Sequence, residues 1–217
     1  MTAINTKNTR IRLVTAGGTP VVLVPTAISS AAPAEVTVAD TTGITEGDVV
    51  ELNTVGFDEL NNALFVVTNV TATTFELLGS DTSATTGTLA ASPTATVYPA
   101  GDEVPLCLAS IDIAAPSVNQ IDVGTFCDPE ANLPGRTTLG TITMTGFAEK
   151  TDTGLAELIV ADEDGADRIF KVIMSQDQGY LIGKIAFSGL AIQIPLEGAY
   201  GYTITGTQTS KIKWVHD

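Results

Sequence analysis

Apolar and polar residues alternate along most of this chain in short stretches, and runs of glycine, proline and asparagine separate them. Period-2 alternation marks strands with one buried face. It predicts strands near 10–14, 19–25, 35–39, 49–52, 64–70, 74–78 and 94–98. The second half adds 106–113, 138–147, 168–175, 180–187, 190–196 and 200–207. In 106–113 strict alternation points Leu106, Leu108 and Ser110 one way and Cys107, Ala109, Ile111 and Ile113 the other. Gly17-Gly18, Glu46-Gly47-Asp48, Asn61-Asn62 and Asp177-Gln178-Gly179 read as turns, and Gly189 as a break between two strands.

One stretch, 152–161, has helical spacing instead. Leu155, Leu158 and Ile159 fall at i, i+3 and i+4, behind Asp152 or Thr153 as N-cap. The helix is expected to lie as a lid over one face or edge of the strands. Trp214, in the basic tail Lys211-Ile212-Lys213-Trp214, is expected to pack against them.

Composition agrees with strands. The 217 residues are 44% hydrophobic and rich in Thr, Ala, Val and Gly, the balance of a mostly β chain. The fold class expected is therefore mostly β: a β-sandwich or barrel domain with one short α-helix, plus an inserted small all-β module. Texture sets the boundaries. From Thr26 to Tyr98 the chain is dense in Thr, Ser and Ala, carries only acidic charges and is punctuated by Pro25, Pro33, Pro93 and Pro99. Residues 26–98 thus read as a module inserted into a discontinuous domain of 1–25 and 99–217. It is expected to fold by itself and to project outward.

Charge narrows the function classes. With 25 acidic and 10 basic residues there is no basic patch to neutralise phosphates, so stable nucleic-acid binding is not expected. No run approaches the ~20 apolar residues that span a bilayer, so no membrane insertion is expected. The first residues lack a signal-peptide core, which argues against export by that route. Cys107 and Cys127 could in principle pair, but without an export signal they read instead as small buried or partly buried hydrophobes in a reduced setting.

Catalytic and metal patterns are missing from the sequence. The single histidine, His216, stands beside the end of the chain, and two cysteines with one histidine have no zinc-like spacing. Asp162-Glu163-Asp164-Gly165-Ala166-Asp167 does not follow the ligand order of a calcium loop and reads as a solvated turn. Gly17-Gly18-Thr19-Pro20 lacks the lysine and helix of a phosphate loop. No enzyme, cofactor or metal is expected.

Two resemblances add to this reading. The succession Ile121-Asp122-Val123-Gly124-Thr125-Phe126, then Asp128, Leu133-Pro134-Gly135 and the strand opening Gly140-Thr141-Ile142, resembles the tail tube (major tail) proteins of long-tailed bacteriophages. Gly124 stands where that family usually has Thr. The likeness covers roughly 106 to the C-terminus plus a short N-terminal strand. Separately, Ile44-Thr45-Glu46-Gly47-Asp48-Val49-Val50, Leu60-Asn61, Phe65-Val66-Val67, Thr74-Phe75-Glu76-Leu77 and Ser80-Asp81-Thr82 look like the small β-barrel called FCCH in ubiquitin-activating enzymes. That module also occurs in phage virion proteins, and the likeness here is architectural only.

The first resemblance implies a structural virion protein. Copies would polymerise as stacked rings, hexameric in the family, into a hollow, acidic-lined conduit for DNA ejection. Implied partners are copies of itself, a tape-measure protein inside the tube, tail terminator and tail-tip proteins, and phage DNA in transit. Assembly would take place in the host cytoplasm. The polar segment 128–137 would bridge neighbouring copies, which makes Asp128, Glu130, Asn132 and Arg136 candidate interface residues. Arg10 and Arg12 join them from the N-terminal strand. Arg168, Lys171 and Lys184, on predicted strands, would pair with acidic neighbours across rings. The alternative reading is a two-domain β adhesin or carbohydrate-binding module; few aromatics and a single Trp weigh against it.

Overall fold

Alternation becomes antiparallel pairing along nearly the whole chain. The computed structural model describes residues 9–53, 56–85, 87–122, 132–149, 151–174, 179–194 and 200–215. In order they form β1 Arg10–Val14, β2 Val21–Leu23, β3 Ala27–Ile28, β4 Ala34–Thr37, β5 Val49–Asn53, β6 Ala63–Thr68, β7 Thr74–Leu78 and β8 Thr94–Tyr98. There follow β9 Glu103–Leu106, β10 Leu108–Ile113, β11 Ser117–Asp122, β12 Asn132–Thr138, β13 Thr141–Phe147 and the helix α1 Thr153–Asp164. The last strands are β14 Asp167–Ile173, β15 Tyr180–Gln193, β16 Gly201–Gln208 and β17 Lys213–Val215. The protein is mostly β, with two large antiparallel sheets and one short helix.

The first sheet has the order β10-β13-β16-β15-β14-β1-β9, with β17 also on β15. Its two outermost strands are separated in sequence by Cys107 alone. The chain therefore passes from one edge to the other in a single residue, and the sheet must curl back on itself there. Cys107 is exposed at this corner, not buried as its residue type suggested. Just beyond it a bulge between Leu108 and Ser110 shifts the register of β10 against β13. The bulge inverts the face, so Leu108, Ile111 and Ile113 all pack on one core, where strict alternation separated Leu108 from the other two.

Inside the curled sheet lie Leu13, Leu106, Ile142, Met144, Phe170, Ile185, Tyr202 and Ile204. The helix covers this core with Leu155, Leu158 and Ala161, and packs on β15, β9 and β1. Asp152 caps it, its carboxylate accepting from the Gly154 and Leu155 N–H groups at 2.8 and 3.3 Å. It runs through the acidic turn to Asp164 and stops at Gly165, which takes the left-handed conformation (φ 62°). Ile159, expected in the buried stripe, lies at its margin and is exposed.

Gly189 does not separate two strands. Ser188 pairs with Thr205 and Ala191 with Thr203, so β15 continues against β16 through a bulge with Gly189 at φ 74°.

The second sheet has the order β2-β8-β5-β6-β7-β4-β3. Val21–Leu23, which the sequence groups with residues 1–25, thus pairs with β8 in this sheet. Its own core contains Val36, Val50, Leu52, Leu60, Phe65, Phe75, Leu77 and Val97. Asn62 and Asn69 take positive φ (55° and 48°) at the ends of β6.

A third apolar cluster joins the sheets. Val49, Leu64, Val66 and Leu78 of the second sheet meet Val14, Ile169, Ile182 and Val215 of the first. Neighbouring residues on β5 and β6 therefore serve different cores: Val50 and Phe65 face inward, Val49 and Leu64 face the joint. Each such buried side chain contributes roughly 1.5–3 kcal/mol relative to exposure.

Candidate self-association surface

The chain leaves the first sheet through the long hairpin β10–β13. Ile113 pairs with Ile142, and Ala114 N–H still donates to Thr141 O at 2.9 Å. Beyond that point β11 and β12 form a separate two-stranded ribbon, from Ser117↔Thr138 out to Asp122↔Asn132. A register shift between Val118 and Gln120 leaves Gly135-Arg136 unpaired on β12, next to Pro134, which pairs with Gln120. Much of the polar segment 128–137 is thus strand, since β12 runs from Asn132 to Thr138. A bulge tolerates a proline that a regular ladder would reject.

The six candidate interface residues fall in three places. Asp128 and Glu130 lie outside the described residues. Asn132 and Arg136 lie on β12, in the ribbon. Arg10 is exposed at the start of β1, and Arg12 approaches Glu103 Oε2 with its Nε at 3.9 Å. The fold puts β1 inside the first sheet and β12 in the separate ribbon.

The three strand cations find their partners within the chain. Arg168 donates to Glu157 at 2.8 Å and to Asp164 at 2.6 Å, binding both turns of the helix end to β14. Its hydrogen bond holds the Asp164 carboxyl below the ordinary range. Lys184 donates to Glu51 at 2.6 Å across the joint between the sheets. Lys171, almost wholly buried, pairs with the buried Glu103 and donates to the Gly47 carbonyl at 2.8 Å. Burial pushes the Glu103 carboxyl up, Asp48 pushes the same way, and Lys171 and Arg12 pull it back. Asp48 in turn accepts from the Thr45 and Ala100 N–H groups at 2.8 Å each, fixing the crossover beside Gly47. This polar joint escaped sequence reading. Its one signal is unbroken apolar runs such as Ala63–Val67, which suit strands buried on both faces.

These pairings decide what chemistry is open. A cavity of about 350 Å³ at the crossovers holds Asp102, Asp164, Arg168 and Lys184, but Asp102 accepts from Thr19 N–H and the others are ion-paired. Among the described residues no three His, Cys, Asp or Glu side chains are grouped to hold a metal ion. No described helix is long and apolar enough to cross a membrane. Trp214, expected to pack inward, is half exposed, and Val215 is buried in its place. No protein-family model matches this chain, and no curated protein matches it in sequence.

Proposed function

We propose that this chain is a structural subunit that polymerises as stacked rings into the tail tube of a long-tailed bacteriophage. The observation that carries the reading is the ribbon β11–β12, which extends past the first sheet and is bonded in no larger sheet. An isolated two-stranded ribbon is marginally stable in water, so it gains its stability against a neighbour. The resemblance to tail tube proteins places interface residues on this same segment, Asp128, Glu130, Asn132 and Arg136 among them.

Charge suits a conduit. Duplex DNA carries one charge per ~1.7 Å, so a basic wall would hold it at many points. A chain with 25 acidic and 10 basic residues presents an acidic wall that repels the duplex toward the axis. The described strand cations Arg168, Lys171 and Lys184 are already neutralised by Glu and Asp of their own chain. The tube is hexameric, as the resemblance implies, and it works in the virion. A tape-measure protein fills it during assembly, and terminator and tail-tip proteins close its ends.

Negative-stain microscopy of the purified protein tests this. Rings or tubes are expected from the native chain. Replacing 129–136 by a short Gly-Ser turn should leave a soluble, β-rich protein that no longer polymerises. Normal tubes from that variant would overturn the assignment.

A further inference from the structure

The ribbon β11–β12 leaves the first sheet through a root that one residue of a third strand holds. Ala114 N–H donates to Thr141 O at 2.9 Å, the last bond between the two strands on the sheet side. Pairing resumes at Ser117↔Thr138, in the separate ribbon. Ala115 and Pro116 on one strand and Leu139 on the other lie between, and proline has no N–H to add a rung. Gln208 ends β16 at this point and is only 3% exposed. Its backbone N–H donates to Gly140 O at 3.0 Å, and its side-chain Nε2 donates to Ala114 O at 3.0 Å. One residue thus bonds both strands of the hairpin where the sheet stops. Gly140 permits the close approach, because a Cβ there would run into Ala114 O.

Packing does not set the angle at this root. A cavity of about 230 Å³ lies against it, lined by Ile113, Ala115, Pro116, Leu139, Lys211 and Ile212. The two ribbon strands pack extensively on each other and on no other element. The joint is therefore free to bend into open space, and the Gln208 amide is the group that opposes bending. The lever is long enough for this to matter. A bend of roughly 20°, the ordinary twist between neighbouring strands, swings the far end of a ~17 Å ribbon by ~6 Å.

We propose that Gln208 is the positioning residue of the ribbon: its amide, bonded to Ala114 O, fixes the direction in which β11–β12 leaves the sheet, and through that direction it sets how readily copies assemble. The second step rests on the self-assembly reading above. A neighbour that must meet the ribbon at one angle binds only the fraction of molecules holding that angle, so the apparent affinity falls as that fraction falls. Gln208 touches no neighbour itself and acts only through the root.

A distance measurement in the full chain tests the first step. In a Cys127→Ser background, spin labels on Cys107 and on Asp122→Cys report the ribbon's angle by double electron–electron resonance. With Gln208 in place one narrow distance is expected. Gln208→Met, of similar length but without a donor, and Gln208→Asn, with the amide one carbon short, should each broaden it while near-UV circular dichroism keeps the native pattern. In unlabelled chains the threshold concentration for rings or tubes should rise in step, about tenfold if about a tenth of the molecules keep the competent angle. A broad distance with Gln208 in place, or a narrow one in both variants, overturns this inference and leaves the tube reading standing. A lower melting temperature with an unchanged distance would assign Gln208 to packing alone and overturns it too, as would broadened variants that assemble at the native threshold. A native chain that never assembles overturns the tube reading and the link to assembly, while the distances still decide what sets the angle.

Discussion

Replacing Lys171 by Met should be among the costliest single changes in the molecule. Its ammonium and the Glu103 carboxylate are buried against each other, at 4% and 1% side-chain exposure. Met fills the aliphatic volume, so the loss is electrostatic. Glu103 keeps only Arg12 at 3.9 Å, and the Gly47 carbonyl loses its donor. Breaking one partner of a buried pair costs about 3–5 kcal/mol. At 2–4 °C per kcal/mol for a chain of this size, the melting temperature falls by roughly 10 °C. Glu103→Leu in the Lys171→Met background should recover most of it, since exchanging a buried pair for apolar groups is often neutral or stabilising. The pH dependence carries its own sign. Burial already raises the Glu103 carboxyl, and without Lys171 it rises further. The stranded charge then disappears as pH falls through that raised value, so the deficit of Lys171→Met should shrink toward acid. Urea denaturation of the four members of this double-mutant cycle, at pH 5 and pH 8, measures each term. A Lys171→Met deficit under about 1 kcal/mol, or a double variant no better than the single, would refute the reasoning.

Other perturbations separate packing from charge. Excising 26–97 would uncover Val14, Ile169, Ile182 and Val215 on the first sheet, so the remainder should bind hydrophobic dye and precipitate; Ile169→Thr/Ile182→Thr in the excised chain should restore solubility. Gly146→Ala would set a Cβ 2.5 Å from the buried Tyr202 ring, at a cost of about 1–3 kcal/mol by urea titration. Lys213 lies over the Phe65 ring, 3.6 Å from its centroid, and burial lowers its pKa to about 8. The unfolded chain therefore holds that proton longer, and stability should rise between pH 8 and pH 10.5. Lys213→Met should flatten that rise in a thermal-melt series across the same range.

The sequence showed strands wherever one face meets water and the other a core. Thr141–Phe147 alternates cleanly, and the structure keeps its buried positions at Ile142, Met144 and Gly146. It failed where that condition fails. Val49-Val50 and Ile169-Phe170 are buried on both faces, so their pattern marks strands without revealing that a second sheet covers the first. Gly189 and Pro134-Gly135 look like turns in sequence because a bulge and a turn make the same local demand on φ. Lys171 and Arg168 look like surface cations, since nothing local announces the carboxylates that meet them across the fold.

The insertion between β1 and β9 also orders events as the chain folds. Val14 must pair with Glu103, although the whole second sheet lies between them in sequence. Within that sheet Val21 pairs with Val97, so once it forms, the two ends of the intervening segment are already side by side. The loop left to close between Val14 and Glu103 shrinks roughly sevenfold, which lowers its closure entropy by about 2 kcal/mol. The smaller sheet is thus a template that brings distant strands together, and the larger sheet condenses after it. Mutations in the Val50–Phe65–Phe75 core should accordingly slow refolding of the whole chain, while those in the Ile142–Ile204 core should chiefly speed unfolding.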